Sequence, residues 1–290
     1  MIREIGVQNL PIEVLGLIKS ALQEDQAFND PTTNALIDPS LEVSGRLVSK
    51  QEGIISGIEV FIATFAYVDD GIVFDRVIDD GAEVTTGQTI IDFHGSASSI
   101  LRGERTGLNF IQRMSGIATE TNKYVKLVQD LKVTIVDTRK TVPGHRYLDK
   151  YSVVMGGGSN HRFNLSDGIL IKDNHLVVLA KLGLDNKQAV LQAVERSSHT
   201  INVEIEVETI EEVETALLAG AQIIMLDNMD IKTMSDAVKL IDGKAVVEAS
   251  GGINLSTVRA VAETGVDLIS VGSLTHSVQG LDISLDILKE

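Results

Sequence analysis

The 290-residue sequence contains no cysteine, which excludes disulfides and any thiolate-bound metal centre and fits a reducing compartment. No apolar run approaches the roughly 18 residues that cross a bilayer. The stretch MIREIGVQNLPIEVLGLIKS alternates apolar with polar residues where a signal peptide is continuously apolar. The expectation is a cytoplasmic protein with no membrane partner. Positive charge is also scarce. Lys and Arg number 25 against 41 Asp and Glu, a net charge of −16, which excludes general nucleic-acid binding.

The few cations are unevenly placed. Of the 25, 12 lie between Arg102 and Lys172, whereas only seven acids lie between Leu101 and His175. Solvated helix faces account for Lys123, Lys126 and Lys132. The rest suggest a cationic pocket for an anionic substrate inside an acidic shell. The hydrophobic fraction of 43% is that of a folded globular protein, and the length allows one large or two ordinary domains.

Residues 1–40 read first as helix, with an apolar stripe of Ile12, Val14, Leu15, Leu17, Ile18 and Leu22. Asn29-Asp30-Pro31-Thr32-Thr33 then reads as a turn or helix cap. Residues 41–100 are short segments split by Gly and Asp, the pattern of small antiparallel β structure, interrupted by one helix over residues 59–67. Within it, DDGAEVTTGQTIIDFHG resembles the hairpins of biotinyl and lipoyl carrier domains in shape only. Those carriers need a lysine at the tip, and none occurs between Lys50 and Lys123. Residues 101–130 read as one long helix or a helix pair, with Arg102 and Arg105 near its start.

From Val133 the pattern becomes β/α repeats. Strands are expected over 133–137, 168–172, 203–207, 223–226, 246–249 and 268–271, and helices over 186–197, 210–219, 231–241 and 256–264. Alternation of this kind implies a parallel sheet with right-handed crossovers. The fold class is therefore α/β. Each apolar run stops at polar groups: Asp137-Thr138-Arg139-Lys140, Lys172-Asp173, Glu206 with Glu208, Asp227-Asn228, Glu248 with Ser250-Gly251-Gly252, and Gly272-Ser273. Charge at several strand ends favours a TIM-like barrel, whose active site lies on that face, over an open sheet. Arg139 and Arg162 can grip carboxylates through a planar fork, whereas Lys140 and Lys172 act as point charges. Glu206 and Asp227 could bind Mg²⁺ or ribose hydroxyls. The turns Ser250-Gly251-Gly252 and Val271-Gly272-Ser273 offer backbone N–H groups for a phosphate.

These residues alone reach a barrel that binds a small polyanion, but not the reaction. The motifs DTRKTVPGHR, KYSVVMGGGSNHR, LIKDNH, IEVE, IIMLDN, EASGGI and ISVGSLTHS, with ERTGLNFIQRMSGIAT and EDQAFNDPTT before them, resemble the quinolinate phosphoribosyltransferase family over nearly the whole chain. Val142 and His145 stand where Thr and Leu are common in that family, and Asn29-Asp30-Pro31 replaces a usual Gly-Asp pair. The resemblance implies an N-terminal α/β (α+β) domain over 1–115 with the tail 277–290 packed on it, and an open, incomplete β/α barrel over 116–276. It implies transfer from phosphoribosyl pyrophosphate to quinolinate with decarboxylation, aided by Mg²⁺, in a homodimer with shared active sites. In that reading Arg139, His161, Arg162 and Lys172 hold the quinolinate carboxylates, with Arg105 completing the pocket. Thr138 belongs to the same substrate-binding set. Lys140 serves the phosphoribosyl donor, with the pyridine dicarboxylate as a second ligand. Glu206 and Asp227 face the ribose and its metal, and the late turns at Ser250, Gly251, Gly252, Val271, Gly272 and Ser273 hold the 5′-phosphate. Two other readings are a paralogue associated with molybdate transport and a non-catalytic phosphate-binding barrel.

Overall fold

The structure, a computed structural model, describes residues 10–289. The first nine residues, part of the stretch read as lacking a signal-peptide core, lie outside the described residues. In chain order come α1 (Ile12–Glu24), α2 (Pro31–Leu36), β1 (Glu42–Ser49), β2 (Gly53–Ile54), α3 (Ile58–Val68), β3 (Val73–Arg76), β4 (Glu83–Val84), β5 (Thr89–Ser96) and α4 (Ala97–Val128). Then follow β6 (Thr134–Val136), α5 (Arg146–Met155), β7 (Ile169–Ile171), α6 (Asp173–Ala180), α7 (Asn186–Arg196), β8 (Val203–Val207) and α8 (Ile210–Leu218). The last are β9 (Ile223–Asp227), α9 (Ile231–Ile241), β10 (Val246–Ser250), α10 (Val258–Ala262), β11 (Leu268–Ser270), α11 (Ser273–His276) and β12 (Ile283–Ile287). The chain divides into two units. One holds the chain up to Asn122, Thr141–Gly157 and the chain from Thr275; the other holds Lys123–Lys140 and Gly158–Leu274.

In the first unit, α1 buries Val14, Ile18 and Leu22, one residue every turn on a single face. The Asn-Asp-Pro-Thr-Thr run is a cap. Asp30 Oδ1 accepts the Thr32 N–H at 2.9 Å and Pro31 opens α2, where its missing N–H has no partner to lose. The Gly-punctuated segments form an antiparallel sheet in the order β12-β1-β5-β3. Leu47, Ile91 and Phe93 of that sheet share one buried cluster with Phe61 and Phe65 of α3 and Ile100, Leu108 and Ile111 of α4. α4 is one helix of 32 residues, not a pair, and it begins at Ala97, so Arg102 and Arg105 fall beyond its first turn. Gly103 allows its close packing, because a Cβ there would lie 2.8 Å from the Phe65 ring.

The second unit is an open α/β barrel. Six strands, all parallel, lie in the order β6-β11-β10-β9-β8-β7. They fall where the apolar runs place them, each end within one residue. The last strand of the series lies beside the first, which leaves one seam between β6 and β7. Ser159 makes an isolated parallel bridge with Val136 on the β6 side of that seam. The crossover helices start at readable caps. Asp185 accepts the Gln188 N–H at 2.8 Å, Asp230 accepts the Thr233 N–H at 2.9 Å, and Thr209 exchanges bonds with Glu212 in a capping box.

Candidate active site

Parallel strands put all their carboxyl ends on one edge of a sheet, so the residues singled out after each apolar run converge in the second unit. Thr138, Arg139 and Lys140 follow β6. His161 and Arg162 follow the Ser159 bridge, and Lys172 follows β7. Glu206 is the penultimate residue of β8, and Asp227 and Ser250 end β9 and β10, paired in register. Gly251 and Gly252 follow β10, while Val271, Gly272 and Ser273 follow β11.

The cations are fixed from their backbones. Buried Asp137 donates its N–H to the Ser159 carbonyl at 3.2 Å and accepts the His161 N–H on Oδ1 at 2.9 Å. The Thr138 hydroxyl accepts the Lys140 N–H at 3.0 Å. Arg162 Nη1 donates to the Gly168 carbonyl at 3.0 Å, just before β7, and so reaches across the seam. Burial, and then the charge of Arg139, push the Arg162 guanidinium's pKa down, while Glu204 and Glu206 pull it up. The Arg139 Nε is buried without a hydrogen-bond partner among the described residues. Two like charges, one with a spare donor, make a site that an anion stabilises. Lys172 is ion-paired with Glu206.

Beneath them lies a cluster of which the sequence disclosed only His161 and Glu248. His161 Nε2 is 3.2 Å from Glu204 Oε2 and 3.5 Å from Glu248 Oε2. Both carboxylates are buried, at 4% and 1% exposure, and the Oε1 of each has no hydrogen-bond partner among the described residues. Glu248 was expected at the rim as a terminal strand charge. It is buried instead, although register sets it beside Met225 and so level with the half-buried Glu206, one level below the Ser250–Asp227 pair. Glu204 was missed altogether. The signal for it was the period-two pattern Val203-Glu204-Ile205-Glu206-Val207, which puts both acids on one face of β8.

Burial, then the charge of Glu204, push the Glu248 carboxyl up to about 7 from an ordinary 4.5. An acid whose folded value is raised stabilises less as pH rises. This contribution is complete below about 4.5 and gone above about 7. It should amount to at most about 3 kcal/mol. Glu248→Gln should remove the slope, so the variant's melting temperature minus that of the wild type should grow from pH 5 to pH 8. Thermal melts across that range giving a constant difference would contradict the assignment.

The late turns interlock. Asn228, at φ 54°, donates its N–H to the Ser250 carbonyl at 2.9 Å, and its Nδ2 donates to Asp227 Oδ2 at 2.8 Å. Gly251 sits at φ 95°, and a Cβ there would come 2.2 Å from Asn228 Oδ1, so only glycine fits. Val271 is buried and its N–H donates to the Val136 carbonyl at 3.0 Å, so it shapes its turn and offers no donor. As hard oxygen donors, Glu206 and Asp227 suit Mg²⁺, but Lys172 already offsets one charge and Asn228 engages the other. They fit an ion that brings ligands with its substrate better than one the protein cages alone. Arg105 belongs to the first unit. It is exposed on α4 and has no ion-pair partner among the described residues, although its charge bears on Glu104. Arg102 instead donates to Asn34 Oδ1 at 2.7 Å.

Comparison with known proteins covers the whole of this arrangement. Residues 30–115 match the N-terminal domain of quinolinate phosphoribosyl transferase and residues 117–286 match its C-terminal domain. A probable nicotinate-nucleotide pyrophosphorylase (carboxylating) of Bacillus subtilis is 40% identical over 276 residues, covering 95% of this chain and 94% of that protein. A mitochondrial quinolinate phosphoribosyltransferase (decarboxylating) of Nicotiana tabacum is 41% identical, covering 93% of this chain and 81% of its own. Among solved structures, the nicotinate-nucleotide pyrophosphorylase from Francisella tularensis superposes with a TM-score of 0.91 at 37% identity, covering 97% of this chain and 99% of the other.

Proposed function

Because the chain belongs to the quinolinate phosphoribosyltransferase family, we propose that it transfers the phosphoribosyl group of phosphoribosyl pyrophosphate to the ring nitrogen of quinolinate. The carboxyl next to that nitrogen leaves as CO2, and the products are nicotinate mononucleotide and pyrophosphate. This is an enzyme of NAD biosynthesis. The observation that carries the reading is one rim on which Arg139, Arg162 and Lys172 stand with Glu206 and Asp227, in a chain that matches both domains of the family. A phosphate-binding scaffold needs no such pairing of an arginine cluster with acids, and neither that reading nor a molybdate-transport paralogue is favoured by the named relatives.

The chemistry asked of these side chains is positional and electrostatic. Arg139 and Arg162 present planar forks to the two carboxylates, with Lys172 beside them. Each charge-assisted hydrogen bond is worth about 1.5–3 kcal/mol. Holding the ring nitrogen over the anomeric carbon removes much of the entropic barrier. Glu206 and Asp227 face the positive charge that builds there as the bond to pyrophosphate breaks, and Lys140 favours the departing anion. Mg²⁺, when bound, supplies further neutralisation of the pyrophosphate, with Glu206 and Asp227 as the residues to hold it, together with the donor's own oxygens. The turns at Ser250, Gly251, Gly252, Gly272 and Ser273 take the 5′-phosphate. After transfer the ring nitrogen is cationic. It accepts the electron pair released when the adjacent carbon loses CO2, and a solvent proton then replaces the carboxyl. No side-chain nucleophile is required. We place the protein in the cytoplasm as a homodimer, in which Arg105 of one subunit completes the site of the other. Among the described residues no helix is long and apolar enough to cross a membrane.

Substrate choice tests this reading. Nicotinate carries one carboxylate and leaves part of the cationic cluster unpaired, and truncating one partner of such a pair commonly costs 2–5 kcal/mol. Nicotinate should therefore show kcat/KM roughly thirtyfold or more below that of quinolinate. Comparable efficiency for the two in a steady-state assay would contradict the assignment.

A further inference from the structure

One ion pair joins α4 to α5 within the first unit. Arg113 donates Nε to Asp149 Oδ1 at 3.1 Å and Nη2 to Asp149 Oδ2 at 2.9 Å, the two parallel bonds of a fork on a carboxylate. Asp149 is fully buried and Arg113 half-buried. Each has one further bond, and both of these go to backbone. Asp149 Oδ2 accepts the Val142 N–H at 3.3 Å, and Arg113 Nη2 donates to the carbonyl of buried Thr275 at 3.1 Å. The chain passes from the second unit into the first at two places, between Lys140 and Thr141 and between Leu274 and Thr275. At both, the incoming segment is bonded to this same pair. Val142 lies two residues after Lys140, and Thr275 two residues after Ser273.

We propose that Arg113 and Asp149 are positioning residues for the phosphoribosyl pyrophosphate half of the reaction: their pair fixes Val142 and Thr275, and through two residues of chain in each case it holds Lys140 and the Gly272-Ser273 turn. The inference rests on the proposed phosphoribosyl transfer, in which Lys140 meets the departing pyrophosphate and that turn takes the 5′-phosphate. Neither Arg113 nor Asp149 is asked to touch substrate. The quinolinate cations are tied down independently of the pair, Arg162 on the Gly168 carbonyl and Lys172 on Glu206, all within the second unit. Joining two helices would not by itself call for a buried ion pair, because well-packed apolar side chains serve as well or better. What apolar packing lacks is direction. The fork meets a carboxylate and a carbonyl at once, and the carboxylate meets an N–H, so two distant backbone points are set against one another.

The test separates the two substrates. Arg113→Met combined with Asp149→Leu removes both charges and leaves apolar side chains, an exchange that buried pairs commonly tolerate. In steady-state assays of this double variant the KM for phosphoribosyl pyrophosphate should rise about tenfold or more. The quinolinate KM should stay within about threefold of the wild type. Arg113→Lys keeps the charge and loses the fork, so its donor KM should fall between the two. Equal rises in both KM values overturn the proposal. So does a loss of kcat with both KM values unchanged, the result expected of a pair that serves stability alone. A third arm needs no variant. By hydrogen exchange in the free wild type, the Val142 amide should exchange about a hundredfold or more slowly than an unprotected one. Exchange at the unprotected rate overturns the proposal whether or not any variant folds. If the wild type itself fails to turn over quinolinate, the functional reading falls. Normal wild-type kinetics with an unaltered double variant sink the positioning role alone.

Discussion

Arg105→Ala and Lys140→Ala should each be nearly inactive alone, and refolding the two together should return about a quarter of wild-type activity. Arg105 is exposed on α4 of the first unit, whereas the other cations named for the site stand at strand ends of the second. Arg105 has no ion-pair partner among the described residues, although its charge bears on Glu104, and a site built across a two-fold axis would give it one. A two-fold interface repeats every contact, so a dimer would carry two such sites. In a mixed dimer, the barrel with intact Lys140 meets the partner's intact Arg105, and the other site bears both lesions. Random pairing makes half the dimers mixed, and half of their sites work. Native mass spectrometry can verify that mixed dimers are present. If they are and activity stays at zero, Arg105 acts within its own subunit or serves structure alone.

Arg139→Lys should lower quinolinate turnover roughly tenfold or more, since about 1.4 kcal/mol is one decade. Lysine keeps the charge but loses the fork that meets a carboxylate through two parallel bonds. Two features single out Arg139. Its buried Nε has no hydrogen-bond partner among the described residues, and its charge adds to burial in pushing the Arg162 guanidinium's pKa down. Both are unfavourable for the protein alone and are relieved by an anion. Little stability should therefore depend on the guanidinium, and the melting temperature of the variant should stay close to that of the wild type. A large drop in melting temperature, with normal kinetics in the folded fraction, would make Arg139 structural.

The barrel was legible because its strands are short apolar runs that stop abruptly at charge. Val203–Val207 and Ile231–Ile241 coincide with their expected bounds, and the caps at Asp185, Thr209 and Asp230 are local signals that local structure obeys. The rim followed from the same logic, since a parallel sheet sends all carboxyl ends to one edge. Less accessible was anything that depends on distant pairing. The match of Gly45 with Ile287 in the β1–β12 ladder joins residues too far apart for any window of periodicity. α5 was not expected, because its only clues are the burial of Leu148, Ser152 and Val153 by partners that the local sequence does not show. Glu204 escaped, and Glu248 was placed at the rim, for a different reason. A strand pattern tells which face a residue occupies but not how deep it lies, and depth separates a rim charge from a buried anchor. Recognition of the motifs supplied the reaction, which the spacing of the charges did not.

The most direct measurement follows all three products at once. Purified protein is supplied with phosphoribosyl pyrophosphate, Mg²⁺ and quinolinate labelled in the carboxyl adjacent to the ring nitrogen. Nicotinate mononucleotide, pyrophosphate and labelled CO2 should appear in equal amounts and at equal rates. Pyrophosphate or labelled CO2 released without nicotinate mononucleotide, or no turnover of quinolinate at all, would contradict the account.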